Sequence, residues 1–296
     1  MLARAMRAPP EHDVDAAPTG SHVLRLAGGL ALWAATVFGG WFLLEGLGGL
    51  AGVAQQGWFV LVQGAAVGLV VVVAYDLWQR RTRGRGPAGR AGPFVGGLVF
   101  GAVLMGAIVA VVWALGGVSL SLAPRPWEGV LWALGTAVLL AAAEEVLFRG
   151  LLLRDVETWT GTWIALAVSS GLFGVAHLVS PGATLADALL VAVEGGVLLG
   201  LVCILTDGIW APIGFHLSWN LVQGGVFGVA VSGNQWAGVL VAHPTGPARL
   251  SGGAFGIEGS LVTLAACLAA SAVMLVMARR RGRIHRRPVG LGASGP

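Results

Sequence analysis

Residues 94–115 read FVGGLVFGAVLMGAIVAVVWAL, an apolar stretch without a single charged side chain. A stretch of about 20 such residues crosses the hydrocarbon core of a bilayer as an α-helix. Comparable stretches recur along most of the 296-residue chain, in which 56% of the residues are hydrophobic and 11% are charged. A soluble globular domain carries about 25% charged residues, more than twice this fraction. The sequence therefore predicts a polytopic membrane protein.

The composition also excludes three other classes of protein. The 48 glycines follow no G-X-Y period, so the chain is not collagen-like. Its two cysteines, Cys203 and Cys267, cannot form a disulfide framework. A chain this hydrophobic is not disordered. The basic pI of about 10.4 comes from arginines that flank the apolar stretches, which is a topology signal and does not indicate a nucleic-acid partner.

Eight apolar segments predict an all-α bundle of about eight transmembrane helices within residues 23–278. Residues 1–22 are predicted to be a disordered cytoplasmic tail, and residues 279–296 a basic cytoplasmic tail. The predicted spans are Leu26–Leu50, Trp58–Trp78, Phe94–Leu115, Trp127–Leu153, Trp163–Val179, Leu185–Thr206, Ile209–Val231 and Ile257–Ala278.

The arginines support this count, because short cytoplasmic loops hold the excess of basic residues. Three arginines precede the first span, five lie between the second and third, Arg154 follows the fourth, and six follow the last. With an even number of helices all four groups fall on one side, and only Arg125 and Arg249 fall on the other. We therefore expect both termini to be cytoplasmic and the arginine tail to contact anionic lipid.

Three ionisable residues lie together in the fourth predicted span. An ionisable side chain at this depth costs roughly 2.5–3.5 kcal/mol, so each needs a reason to be there. Glu145 and Arg149 stand four residues apart, the spacing of an intrahelical ion pair. Glu144 points about 100° away from Glu145 and is left without a local cation, which suits general acid–base chemistry. The alternative is that all three only tie helices together.

Two further helices each carry a polar pair at the same spacing. Phe173 precedes His177 by four residues in the fifth span, and His216 precedes Asn220 by four in the seventh. Two histidines, an amide and an unpaired glutamate are sufficient to bind a water, accept its proton and stabilise an oxyanion. They could equally bind a divalent metal, and zinc is kept as an alternative cofactor.

These three segments, E-E-V-L-F-R, F-G-V-A-H and H-L-S-W-N, carry a resemblance to a known family. The chain resembles the CPBP intramembrane proteases, also called the ABI family, which include type II CAAX prenyl endopeptidases and bacteriocin-processing or immunity-associated relatives. The family motifs E-E-x-x-x-R, F-x-x-x-H and H-x-x-x-N occur here in the family's order and on separate predicted helices. The resemblance covers about residues 125–230.

The resemblance implies an intramembrane endopeptidase that hydrolyses a peptide bond of a membrane-anchored or lipidated substrate. It implies that Glu144 is the general base, that His177 helps to hold the water, and that His216 and Asn220 stabilise the oxyanion.

The other motif residues are implied to have supporting roles. Glu145 and Arg149 would fix the fourth helix, and Phe173 would pack beside His177. The family is commonly labelled metalloprotease, and a metal would be held by His177, His216 and Glu144.

Two other functions fit the same residues. A proton-coupled transporter could use the acids and histidines as a relay, and an immunity or scaffold protein could keep the site without using it. The chain contains arginine but no lysine, which is typical of a GC-rich bacterial genome, so we expect a multi-pass protein of the bacterial plasma membrane. A maturing peptide or a regulatory membrane protein then fits better as substrate than a farnesylated CAAX protein.

Three ionisable residues remain outside the motifs. Asp187 and Glu194 are seven residues apart and are predicted to share a helix face that borders the cleft or joins neighbouring helices. Glu45 has no evident partner in the sequence.

The two histidines are predicted to differ in depth by about 10 Å, at 1.5 Å per residue. We expect a re-entrant or amphipathic stretch over residues 157–163 to remove this difference.

Overall fold

The computed structural model describes residues 19–84 and 91–285 of the chain. The described part forms a helical bundle, and seven of its helices are long and apolar enough to span a membrane. This confirms the predicted all-α polytopic fold. The helices are α1 (Thr19–Leu50), α2 (Gly57–Arg83), α3 (Ala91–Ala114), α4 (Pro126–Thr160), α5 (Thr162–Ala176), α6 (Leu185–Thr206), α7 (210–226) and α8 (Leu261–Arg280).

The seventh predicted span, Ile209–Val231, was too long. Helix α7 consists of an α-helical part of 11 residues followed by a π-helical part of 6 residues, and it is not among the seven candidate spans. Its α-helical part is buried almost throughout, so its apolar character reflects contact with other helices rather than with lipid. The chain then turns at Gly228, whose φ of 63° favours glycine, and continues as a loop.

The predicted re-entrant stretch over residues 157–163 is absent. Helix α4 continues without a break to Thr160, and Gly161, at φ 79°, turns the chain directly into α5. The seven residues of Arg154–Thr160 extend α4 by about 10 Å at 1.5 Å per residue. The turn into α5 therefore lies about 10 Å beyond Leu153, the predicted end of the fourth span. This displacement equals the predicted difference in depth between the two histidines and removes it.

Both predicted tails extend beyond the described residues. Helix α1 begins at Thr19, so the last four residues of the predicted tail 1–22 are helical, and residues 1–18 lie outside the described part. Helix α8 continues to Arg280, and residues 286–296 lie outside as well. The same holds for six predicted topology residues, namely Arg4, Arg7, Arg85, Arg90, Arg286 and Arg287.

Glycines allow the inner helices to approach one another closely. A Cβ atom on Gly64 of α2 would collide with the carbonyl oxygen of Gly135 in α4, and one on Gly135 would collide with the backbone of Val60. Such small residues let helix backbones meet in a bilayer, where burial of apolar surface does not drive association. Helix α1 is peripheral by comparison, with only 6% of its apolar window buried.

One end of the bundle is held together by ion pairs, and we call this end the arginine face. Asp155, only 1% exposed, accepts from Arg25 Nε at 2.8 Å and from Arg83 Nη2 at 2.6 Å, joining α1, α2 and α4. Asp207, which follows α6, pairs with Arg154 and Arg283. The predicted grouping of arginines on one side is thus visible in the described chain.

The other end, which we call the opposite face, carries the long connection 227–260 and the loop before α4. Two short strands, β1 (Val118–Leu122) and β2 (Leu240–Pro244), pair there in antiparallel register, with Ser119 opposite His243. Neither strand was predicted, because each contains only five residues between helices.

Candidate functional site

A cavity of about 620 Å³ lies inside the bundle, with mainly apolar walls. Glu144 of α4, His177 after α5, and His216 and Asn220 of α7 all line it. The structure therefore brings together in one cavity the four residues for which the motifs imply chemical roles.

A buried ion cluster holds α4 and α7 together beside this cavity. Arg149 Nη1 donates to Glu145 Oε1 over 2.9 Å, as the spacing of the two residues predicted. His216 Nδ1 donates to the same oxygen over 2.8 Å. Glu145 and Arg149 are both 0% exposed, so the carboxylate offsets the burial of the guanidinium.

The contact with Glu145 sets the orientation of His216. Because a carboxylate oxygen only accepts hydrogen bonds, we assign the proton to Nδ1, and Nε2 is the nitrogen left for the cavity. The same carboxylate stabilises the imidazolium form, in which Nε2–H is a donor. Glu145 thus positions His216 as well as Arg149, a contact between distant helices that the sequence did not predict.

Arg149 also ties α4 to α6. Its Nη2 donates to the carbonyl oxygens of Gly195 and Gly196, and its guanidinium lies 4.4 Å from the ring centroid of Phe173. The two glycines lie in a π-helical segment, Ala192–Val197, and the wider turn of a π-helix leaves carbonyls available to outside donors. A Cβ on Gly195 would meet the Phe173 ring at 2.5 Å, so only glycine allows this approach.

His177 is fixed by the residue that precedes it by four. Its Nδ1 lies 2.8 Å from the carbonyl oxygen of Phe173, which can only accept, so we assign the proton to Nδ1 and leave Nε2 as an acceptor. The Phe173 ring lies 4.7 Å from the His177 ring and 6.3 Å from the His216 ring, measured between centroids. Phe173 therefore packs against both imidazoles as well as against Arg149.

Glu144 differs from Glu145 in its surroundings. It is half-buried on the cavity wall, and its Oε2 is buried without a hydrogen-bond partner among the described residues. The neighbouring backbone is held in place, because Trp33 Nε1 of α1 donates to the carbonyl oxygen of Ala143 over 2.8 Å. Glu144 is thus a carboxylate on a positioned helix that remains available to a molecule in the cavity.

Asp187 and Glu194, predicted to share a face of α6, have different surroundings. Asp187 caps the start of α6 through reciprocal bonds with Thr184, whereas Glu194 lines the cavity. Glu194 is 4% exposed, and neither carboxylate oxygen has a hydrogen-bond partner within the described chain.

Sequence reasoning missed Glu258, which also lines the cavity. Its carboxylate accepts from Trp219 Nε1 and from both the backbone N–H and the hydroxyl of Ser232. It therefore holds the connection 227–260 against α7. The sequence did contain a signal for it, because Glu258 lies inside the predicted span Ile257–Ala278, where an acidic side chain is costly and therefore usually has a partner or a function.

The donor set does not fit a metal site as it stands. Within residues 19–84 and 91–285, no three histidine, cysteine or acidic side chains are grouped closely enough to hold an ion. Glu144, His177 and His216 line one cavity and both histidines keep Nε2 free, so it is the separation of the three side chains, and not their hydrogen bonding, that does not match an ion site.

The fold and the site define a class: a multi-pass membrane protein with a polar site enclosed in its helical bundle. Residues 126–222 match the family model described as Type II CAAX prenyl endopeptidase Rce1-like. The match confirms the resemblance carried by the three motifs. The family description names a peptidase. No curated protein and no solved structure matches the chain.

Proposed function

We propose that this protein is an intramembrane endopeptidase that hydrolyses a peptide bond of a membrane-anchored or lipidated polypeptide. The observation that carries the proposal is the shared cavity, in which an unpartnered glutamate oxygen, two oriented imidazoles and an amide lie in a mainly apolar wall. The match of residues 126–222 to the Rce1-like family model supports peptidase chemistry.

Glu144 has the properties that a general base needs. It accepts a proton from a water while the water oxygen attacks the carbonyl carbon of the scissile bond. His177 supports the same water through Nε2, the nitrogen that its contact with Phe173 leaves free to accept. When the carbon–nitrogen bond breaks, Glu144 returns the proton to the leaving amine, and the products are a carboxylic acid and an amine.

His216 and Asn220 suit the negative charge that develops on the carbonyl oxygen. They stand one helical turn apart on α7, so an imidazolium Nε2–H and a side-chain amide N–H can donate to the same oxyanion. Glu145 holds the imidazole in place and Arg149 holds Glu145, so both residues support the site without contacting the reacting bond.

The test uses purified protein reconstituted in liposomes with a library of acylated peptides and mass-spectrometric detection of products. We expect Glu144→Gln to lose cleavage by about 10²–10⁴-fold, the usual contribution of a general base, while the protein stays inserted and folded. Glu128→Gln is the matched control, because Glu128 lies exposed in the first turn of the same helix. Full activity of Glu144→Gln would refute the proposal.

A chelator in the same assay addresses zinc. We expect cleavage to persist in the chelator, since the described donors are not grouped for an ion. Loss of cleavage that returns on adding zinc would instead assign the metal to Glu144, His177 and His216. If no peptide is cleaved and a pH gradient drives flux through the protein, the transporter alternative takes the place of proteolysis.

A further inference from the structure

The cavity reaches only toward the opposite face of the bundle. On α4 the lining runs from Trp132 to Phe148 and stops there, although the helix continues to Thr160 on the arginine face. On α5 the lining is confined to the last turn, residues 173–177. The connection 227–260, which lies on the opposite face, contributes further lining residues, including Ser232, Asn234 and Glu258.

Packed protein separates the cavity from the arginine face. Beyond Phe148 on α4, the side chains of Arg149, Leu151, Leu153 and Asp155 are all 1% exposed or less. This layer is about 10 Å thick, at 1.5 Å per residue. The ion pairs of Asp155 with α1 and α2 close its outer edge. Water and substrate therefore have no route to Glu144 from that face through the described residues.

The exposed lining residues mark a mouth on the other side. Phe38 of α1 is 53% exposed, Val179 just after α5 is 90% exposed, and Asn234 of the connection is exposed as well. Phe38 and Val179 are apolar and exposed, whereas Asn234 is polar and belongs to the opposite-face connection. The lipid anchor of a substrate polypeptide could contact Phe38 and Val179 while its backbone passes Asn234 into the cavity.

We propose that the cavity takes its substrate from the extracytoplasmic side of the membrane, through the mouth bounded by Phe38, Val179 and Asn234. This inference rests on the proposed function and deepens it. The positive-inside rule makes the arginine face cytoplasmic, because nine of the described arginines lie there and two, Arg125 and Arg249, lie at the other end. The substrate is then a polypeptide anchored in the outer leaflet, or exposed next to it, and not a cytosolic prenylated protein.

Sidedness can be measured with single added cysteines in intact cells that express the full chain. Both native cysteines are 0% exposed, so the parent chain should remain unlabelled by a charged, membrane-impermeant maleimide. We expect Asn234→Cys to react in intact cells. Arg81→Cys, at the exposed arginine-face end of α2, should react only after the membrane is permeabilised. The reverse pattern would overturn the proposal.

The mouth itself is tested by a pair of tryptophan substitutions. Val179→Trp should reduce kcat/KM for acylated peptides by about tenfold or more, because a bulky ring narrows the path of the peptide to the site. Val175→Trp is the matched control, since Val175 is also exposed, at 57%, but does not line the cavity. Equal activity of the two variants would contradict the position of the mouth.

The outcomes separate this inference from the proposed function. If the parent chain cleaves peptides and Asn234→Cys is labelled only after permeabilisation, the protease remains and the extracytoplasmic route is wrong. If Asn234→Cys is labelled in intact cells and no peptide is cleaved by the parent chain, the proposed function fails while the orientation is established.

Discussion

Two acidic residues of helix α4, Asp155 and Glu144, lie in different surroundings. Near the arginine face, Asp155 is bonded to two arginines from other helices. Eleven residues earlier, Glu144 borders a cavity and keeps one oxygen without a partner among the described residues. A carboxylate bonded to arginines of other helices holds those helices together, whereas a carboxylate that borders a cavity without a cation is available to take a proton from water. Asp155 therefore has a structural role, whereas Glu144 is available for chemistry.

Glu145 stands between these two cases. It is as buried as Asp155 and equally bonded to cations, but one of its partners, His216, lines the cavity. Glu145 therefore links the packed end of α4, through Arg149, to His216 in the cavity. Three variants sharpen the comparison.

The largest effect on stability is expected for Arg149→Met. It leaves the buried carboxylate of Glu145 with His216 as its one remaining described partner, which should lower the free energy of unfolding by about 3–5 kcal/mol. Thermal unfolding in detergent measures this loss. The double variant Glu145→Met with Arg149→Met should lose less than the single one, because no uncompensated charge remains. If Arg149→Met unfolds at the same temperature as the parent, the ion cluster does not contribute to the stability of the fold.

A smaller effect is expected for Asp155→Asn. The amide removes the charge that holds Arg25 and Arg83 together, at a cost of about 1–3 kcal/mol in the same unfolding measurement. Asp207→Asn is the matched control, because Asp207 also bridges two arginines but is 59% exposed, and exposed pairs contribute about 0–1 kcal/mol. Cleavage per folded molecule should stay at the parent level in both variants. Equal losses of stability would show that burial does not distinguish the two acids.

The smallest effect is expected for Glu194→Gln. The amide keeps the shape of the side chain, and the carboxylate it replaces has no described hydrogen bond to lose. We expect the free energy of unfolding to change by less than about 1 kcal/mol, and cleavage to persist because proton transfer belongs to Glu144. If Glu194→Gln loses cleavage as completely as Glu144→Gln, Glu194 is also required for catalysis.

Local geometry explains which parts of the site were predictable. The ion pair of Glu145 with Arg149 depends only on a spacing of four residues within one helix, and so does the contact of His177 with Phe173. The bond from His216 to Glu145 joins residues 71 positions apart, and no local rule indicates which of two adjacent glutamates the imidazole meets. The role of Glu144 as general base is implied by the family resemblance and remains a prediction for the variants to test.

The sequence alone determined the membrane class, the helical architecture and the resemblance that the family model matches over residues 126–222, because hydropathy, arginine distribution and motif spacing are all properties of neighbouring residues. Only the tertiary structure decided that α7 is a short inner helix, that three π-helical segments adjust the register around the site, and that Glu258 holds the opposite-face connection. The same is true of the direction in which the cavity opens. These features arise from how distant helices fill the space between them, and packing of that kind leaves no periodic trace in a single chain.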